Sequence, residues 1–134
     1  MYKYSIFYRM LVEQNIFLLG YQPEFINFMA ISDLMVHPSL TEASNSAVKE
    51  MALINKTSIV CDGVGDFSDY FINGKNGFLI SAKNSEGIIE KILEELYHNK
   101  DILDQMGKEL NKTVLERFTM SEKNVLKYIQ SFES

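Results

Sequence analysis

The sequence predicts an α/β fold built on a parallel sheet, and two observations predict it. Short, mostly apolar runs recur at Ile16–Leu19, Leu34–His37, Ser58–Cys61 and Phe78–Ile80, the pattern of strands covered on both faces. Several of them are separated by segments whose apolar residues fall at helical spacing. Strands alternating with helices imply a parallel sheet.

Each element follows from its residues. Residues 2–13 set Ile6, Met10 and Leu11 at helical spacing, which predicts a first helix. Asn15 separates it from Ile16–Leu19, a predicted buried strand that stops at Gly20. Pro23 suits the first turn of the next helix, where a missing N–H costs nothing, and Phe25, Ile26, Met29 and Ala30 form its inner face. Asp33 leads into the strand Leu34–His37. Pro38 ends that strand, because proline has no N–H to give to a ladder. A polar run follows, and then Ala47, Val48, Met51 and Ala52 mark the buried side of a helix that stops at Asn55 and Lys56.

Ser58–Cys61 is the next strand. Gly63 and Gly65 allow a tight turn, and Asp66–Ile72 is irregular or a short helix. Asn73-Gly74 and Asn76-Gly77 are turn signals before the last strand, Phe78–Ile80. Asn84 or Ser85 caps a helix with an apolar stripe of Ile88, Ile89, Ile92, Leu93, Leu96 and Tyr97. A longer helix runs from about Asp101 to Phe118, with Ile102, Leu103, Met106, Leu110, Val114 and Leu115 inward. Thr119 to Glu122 reads as a capping box for a final helix carrying Val125, Leu126, Ile129 and Phe132.

Composition narrows the function. With 134 residues there is room for one domain, and 46% hydrophobic residues is ordinary for a globular chain. A formal charge of −5 argues against a nucleic-acid binder held by phosphate contacts. The single cysteine, Cys61, has no partner for an internal disulfide. It reads as a buried strand thiol in a reducing cytoplasm. No apolar stretch reaches the ~18 residues of a membrane helix. Arg9 and Glu13 interrupt the N-terminal segment, which therefore does not read as a signal peptide. His37, His98, Cys61 and the acidic residues show no metal-ligand spacing, and there is no Asp-x-Asp. His98, at a helix C-terminus, is read as a favourable contact with the helix dipole.

The stretch His37–Leu53 organises the chain, reading as strand, loop and helix N-terminus. The first N–H groups of a helix lack internal partners and favour an anion, and a loop of small residues lets a phosphate approach. In an open α/β sheet this is the carboxyl end of a strand, where ligands bind. Glu42 and Glu50, eight residues apart, flank the opening.

PSLTE with Glu50 further on resembles the E-x7-E motif of retaining glycosyltransferases of the GT-B fold, the large family 4 or group 1 type. Lys56–Asp62, Gly63–Asp66 and Asn73–Ile80 resemble that family's "GKPVIATDVGG" and "NGENGFLV" segments. Ile16–Gly20 and Ile31–Ser39 resemble "VIFLG" and "ADLFVLPS". The segments cover nearly the whole chain in the correct order.

The resemblance implies a Rossmann-like parallel sheet with flanking helices, the C-terminal half of a GT-B fold lacking its first strands. With the usual strand order the missing strands would lie between Ile16–Leu19 and Leu34–His37. Residues 1–117 are then a partial donor-binding domain. Residues 118–134 are a C-terminal helix that in the family packs back toward an N-terminal domain, and the chain is a fragment of a longer enzyme.

The resemblance also implies a nucleotide-diphosphate sugar as donor, a glycan or lipid-linked acceptor and no metal cofactor. The N-terminal acceptor-binding domain is absent, and the fragment is expected to be inactive alone. The location is cytoplasmic or at the inner face of a membrane. An unpaired sheet edge is a surface through which two copies can pair.

By the resemblance, Glu42 lies against the donor sugar and Glu50 accepts from the nucleotide ribose. The alternatives are a capping box Ser39–Glu42 and a solvated Glu50 beside Lys49. Ala43, Ser44, Asn45 and Ser46 stand where the family has Gly-Phe-Gly-Leu, and they either bind the donor or cap the helix. Tyr21 and Gln22 match a loop that contacts the base, or are surface residues. Gly63, Gly65 and Asp69 match a "GG…E" turn near the cleft, or serve plain turn chemistry. A non-catalytic nucleotide- or partner-binding α/β module is the alternative function. A flavodoxin-like regulatory domain is weaker, since it gives no reason for Glu42 and Glu50 to flank one loop.

Overall fold

The computed structural model describes residues 15–83 and 85–119, together with the helical residues Val125 and Gln130. The helix expected over residues 2–13, the cap at Asn84 and the rest of the C-terminal helix lie outside the described residues.

The elements in order are α1 (Phe25–Ile31), β1 (Leu34–His37), α2 (Ser46–Leu53), β2 (Thr57–Cys61), α3 (Phe67–Tyr70), β3 (Phe78–Ile80), α4 (Ser85–His98) and α5 (Asp101–Phe118). The three strands form one parallel sheet in the order β1-β2-β3. β2 is central, and all five of its residues are buried.

Strand side chains alternate between faces, and β2 shows it. Val60 joins a cluster with Val48 and Ala52 of α2, Phe67 and Tyr70 of α3, and Leu110 and Val114 of α5. Ile59 and Cys61 face the other way, into a cluster with Ile80 that α4 covers through Ile89 and Ile92. Burial in that layer pushes the Cys61 thiol pKa up.

The end of α2 is closed by a Schellman arrangement. Lys56 N–H donates to the Met51 carbonyl at 2.9 Å and Asn55 N–H to Ala52 at 3.0 Å. Asn55 takes the left-handed turn at φ 60°, a role asparagine tolerates. Asn111 of α5 donates to the carbonyls of Ala52 and Leu53 at 3.0 and 3.2 Å, satisfying the helix end further.

The NGKNG turn is held from inside. Asn76 is 1% exposed. Its amide donates to the Tyr70 carbonyl at 2.9 Å and its Oδ1 accepts from Ile72 N–H at 2.6 Å. Thr57 Oγ1 donates to its carbonyl at 2.8 Å.

Two expectations are corrected. Ile16–Leu19 is not a strand: it has no ladder partner among the described residues, and its side chains are 44–66% exposed. A parallel strand needs a neighbour, and among the described residues β1 is bonded on one side only, to β2. Likewise no residue of α1 is buried, although Phe25 and Ile26 were expected to face inward. Ile88, Leu93 and Tyr97 of the α4 stripe and Leu115 of α5 are also exposed. Among the described residues, no helix is long and apolar enough to cross a membrane.

Candidate functional site at the carboxyl edge of the sheet

β1 and β2 run parallel, so both deliver their following loops to the same edge of the sheet. The loop after β1 carries Glu42 to Asn45 and enters α2. The loop after β2 turns through Gly63 and Gly65, at φ 68° and 55°, and enters α3. The two loops touch. A Cβ on Gly65 would lie 3.0 Å from the Glu42 Cβ and 3.1 Å from the Ala43 carbonyl oxygen. Glycine there serves both the left-handed turn and the close approach.

Asn45 is the N-cap of α2, its Oδ1 accepting from Val48 N–H at 3.0 Å. Glu42 therefore lies outside the helix, and the capping-box reading of Ser39–Glu42 is overturned. The N–H groups of Ser46 and Ala47 make no hydrogen bond within the described residues. They are the orphan donors of the helix start.

Glu42 Oε1 lies 2.7 Å from His37 Nε2 and accepts from Asn45 Nδ2 at 3.2 Å. The His37 bond, with smaller help from Ser39 and Asn45, holds the Glu42 carboxyl pKa below its usual value against the opposing effect of burial. His37 also presents its ring to Phe67, edge to face at 5.9 Å between centroids.

Ser44 and Lys49 turn to the second loop. Ser44 Oγ donates to Asp66 Oδ2 at 2.9 Å, and Lys49 Nζ donates to the same oxygen at 2.6 Å. The ammonium also lies 4.5 Å from the Phe118 ring centre and 5.2 Å from that of Tyr70. Burial alone would raise the Asp66 carboxyl pKa, but Lys49 and Ser44 together bring it below the ordinary value. The Tyr70 hydroxyl is buried without a partner among the described residues. Burial, and then the Asp66 charge, push its pKa up.

A carboxyl whose folded pKa is lowered adds stability that is present above its unfolded pKa and lost as pH falls through its folded value. Asp66 and Glu42 both act in this direction. The urea midpoint is expected to hold from pH 7 to about pH 4.5 and to fall below that, since unperturbed Asp and Glu titrate near 3.9 and 4.3. Asp66→Asn should lower the midpoint at pH 7 and flatten the acid decline. A variant as acid-sensitive as the parent would contradict this assignment for Asp66.

The expected site residues fall into two groups. Glu42, Ala43, Ser44, Asn45 and Ser46 lie at the start of α2, and Glu50 lies further along the same helix. Glu50 is partly buried, and its carboxylate has no hydrogen bond or ion pair with the described residues. Tyr21 and Gln22 are not tied to that cluster: Tyr21 is 91% exposed and Gln22 donates to the Leu19 carbonyl at 2.6 Å. Asp69 is exposed in the first turn of α3.

His37, Lys49 and Asp66 were missed by sequence reasoning. Position at the last residue of a strand, five before Glu42, was the available signal for His37. Nothing in the sequence pairs Lys49 with Asp66. Among the described residues, no group of three or more His, Cys, Asp or Glu side chains is placed to hold a metal ion.

The chain resembles known proteins over most of its length. The family "Glycosyl transferases group 1" matches residues 5–113. A trehalose synthase of Thermococcus litoralis is 31% identical over 107 residues, which is 80% of this chain and 25% of that protein. A crystal structure of Staphylococcus aureus TarM matches 97% of this chain and 26% of its own, with a TM-score of 0.78 and 24% identity. The Anabaena HepE structure in complex with UDP matches 92% of this chain and 34% of its own, with a TM-score of 0.76 and 21% identity. These structural likenesses show the shared GT-B type of fold. The chain spans about a quarter of the length of the curated relatives it matches. With the family match extending over residues 5–113, the chain belongs to the group 1 glycosyl transferases.

Proposed function

We propose that this chain is the donor-binding part of a glycosyltransferase. The reaction is transfer of a sugar, with retention, from a nucleotide-diphosphate sugar to a glycan or lipid-linked acceptor. One observation carries the reading: the loop bearing Glu42 leads into the α2 start, where the Ser46 and Ala47 N–H groups are free of partners among the described residues, and Glu50 lies on the same helix. An anionic diphosphate suits those donors and the helix dipole. Glu50, without a partner among the described residues, is available to ribose hydroxyls. Glu42 is assigned to the sugar, and Tyr21 with Gln22, neither of which is tied to this cluster, are assigned to the base from the family resemblance alone. That HepE was crystallised with UDP and with UDP-glucose supports a uridine nucleotide as the first ligand to try.

Catalysis in such a site is positioning plus stabilisation of the departing diphosphate, with no metal required. The acceptor side comes from a second domain, so the 134-residue chain alone is expected to show no transfer. The lone buried thiol of Cys61 suits a reducing cytoplasm. The edge of β1 that has no partner among the described residues is where a further strand, or a second copy, would pair.

The experiment is an amide NMR titration with UDP. The reading expects shifts concentrated at residues 44–50 and 63–65. Shifts confined to the apolar groove of α4 lined by Ile89, Leu93 and Tyr97, or no shifts at all, would contradict it.

A further inference from the structure

We propose that His37 is the positioning residue of Glu42, and that the α2 N-cap sets the orientation of the pair. The inference rests on the donor-site reading above and adds a residue to it.

Asn45 fixes the direction of the hydrogen bonds. Its Oδ1 accepts from the Val48 N–H at 3.0 Å, so the other end of the amide must be the NH2 group. That NH2 faces both Glu42 Oε1 and His37 Nε2, each at 3.2 Å. His37 Nε2 is itself 2.7 Å from Glu42 Oε1. An unprotonated Nε2 would oppose its lone pair to an ionised carboxylate at that distance. A protonated Nε2 donates to it in a charge-assisted bond. With Glu42 ionised, the geometry places the proton on Nε2, and the Asn45 NH2 donates to the same carboxylate oxygen and not to Nε2. A helix cap, an imidazole tautomer and a carboxylate rotamer form one network.

The support behind His37 is rigid. It is the last residue of β1, in register with Val60 of the fully buried β2. Phe67, 0% exposed, packs edge-to-face against its ring. A site residue held by side chains on rigid elements keeps its geometry better than one left to a loop. Glu42 sits on a loop, and His37 supplies the strand. His37 and Asn45 both engage Oε1, and Oε2 is the oxygen they leave for a hydroxyl of the donor sugar. His37 thus acts through Glu42 and does not itself touch the ligand.

Two measurements test this on the 134-residue chain. The first is nitrogen-15 imidazole NMR of the free protein. The expected result is a single His37 form carrying its proton on Nε2, with that signal changed in Glu42→Gln. A His37 protonated on Nδ1 alone would overturn the proposal.

The second is titration with UDP-glucose and with UDP. His37→Leu is expected to weaken UDP-glucose roughly tenfold, the scale of one hydrogen bond to a charged group, while UDP affinity stays within about twofold. His37→Gln, whose amide N–H reaches toward the Nε2 position, is expected to recover most of the loss. Equal weakening of both ligands, or no recovery by Gln, would overturn the positioning role. If the parent chain binds neither ligand, the donor-site reading falls and the role toward a donor falls with it. The tautomer measurement still decides the His37–Glu42 pair on its own.

Discussion

Gly107→Ala is expected to unfold the chain or bring it to the edge of unfolding. Gly107 lies in the middle of α5, where glycine is ordinarily about 1 kcal/mol worse than alanine. Here the sign reverses. A Cβ at this position would stand 1.9 Å from the Asn55 carbonyl oxygen and 2.5 Å from its carbon. Both are backbone atoms of the left-handed turn that ends α2, so no rotamer change relieves the clash. α5 would have to withdraw, taking Leu103, Met106, Leu110 and Val114 out of the core and breaking the Asn111 bonds to Ala52 and Leu53. We expect a loss of about 4 kcal/mol or more, above the roughly 1–3 kcal/mol usual for an overpacked core because the clash is with backbone. That is a large share of the roughly 5–15 kcal/mol that holds a small domain together.

Gly87 is the control. It lies in α4, and a Cβ added there would meet nothing within 4 Å. Gly87→Ala should gain a few tenths to about 1 kcal/mol. Urea denaturation of both variants checks the pair. A stable Gly107→Ala would contradict the packing of α5 on the α2–β2 turn.

The parts of the fold legible in the sequence are those set by local chemistry. Pro38 ends β1, Asn45 starts α2 and Asn55 stops it. The Leu103, Met106, Leu110 and Val114 stripe was readable because that face of α5 is covered, chiefly by α2 and β2. Ile16–Leu19 was misread because an apolar run reports a tendency to be covered, whereas a strand also requires a partner beside it. The same holds for Phe25, Ile26 and Tyr97: periodicity shows which side of a helix is apolar, and says nothing of what lies against it.

The site divides in the same way. The spacing of Glu42 and Glu50 around a polar loop is a local pattern, and it was legible. The His37–Glu42 bond is short in sequence but depends on the loop folding back past Pro38. The Lys49–Asp66 pair joins two loops that only the parallel pairing of β1 and β2 brings together. That pair also explains the Ser44 hydroxyl, which the sequence left open between donor contact and capping: it donates to Asp66, and Asn45 is the residue that caps α2.

Glu50→Ala is expected to weaken nucleotide binding by about 1.5–3 kcal/mol, the worth of a hydrogen bond to a charged group. In the structure Glu50 has no partner among the described residues, so its truncation should leave the stability within about 0.5 kcal/mol of the parent. Binding and folding are thereby separated at one residue. The decisive measurement is calorimetric titration of the folded chain and of Glu50→Ala with UDP and with GDP. The expected result is that the parent binds one of the two and that Glu50→Ala binds it roughly ten- to a hundredfold more weakly at unchanged stability. A folded parent that binds neither nucleotide, or a variant that binds as tightly as the parent, would contradict a donor site at the start of α2.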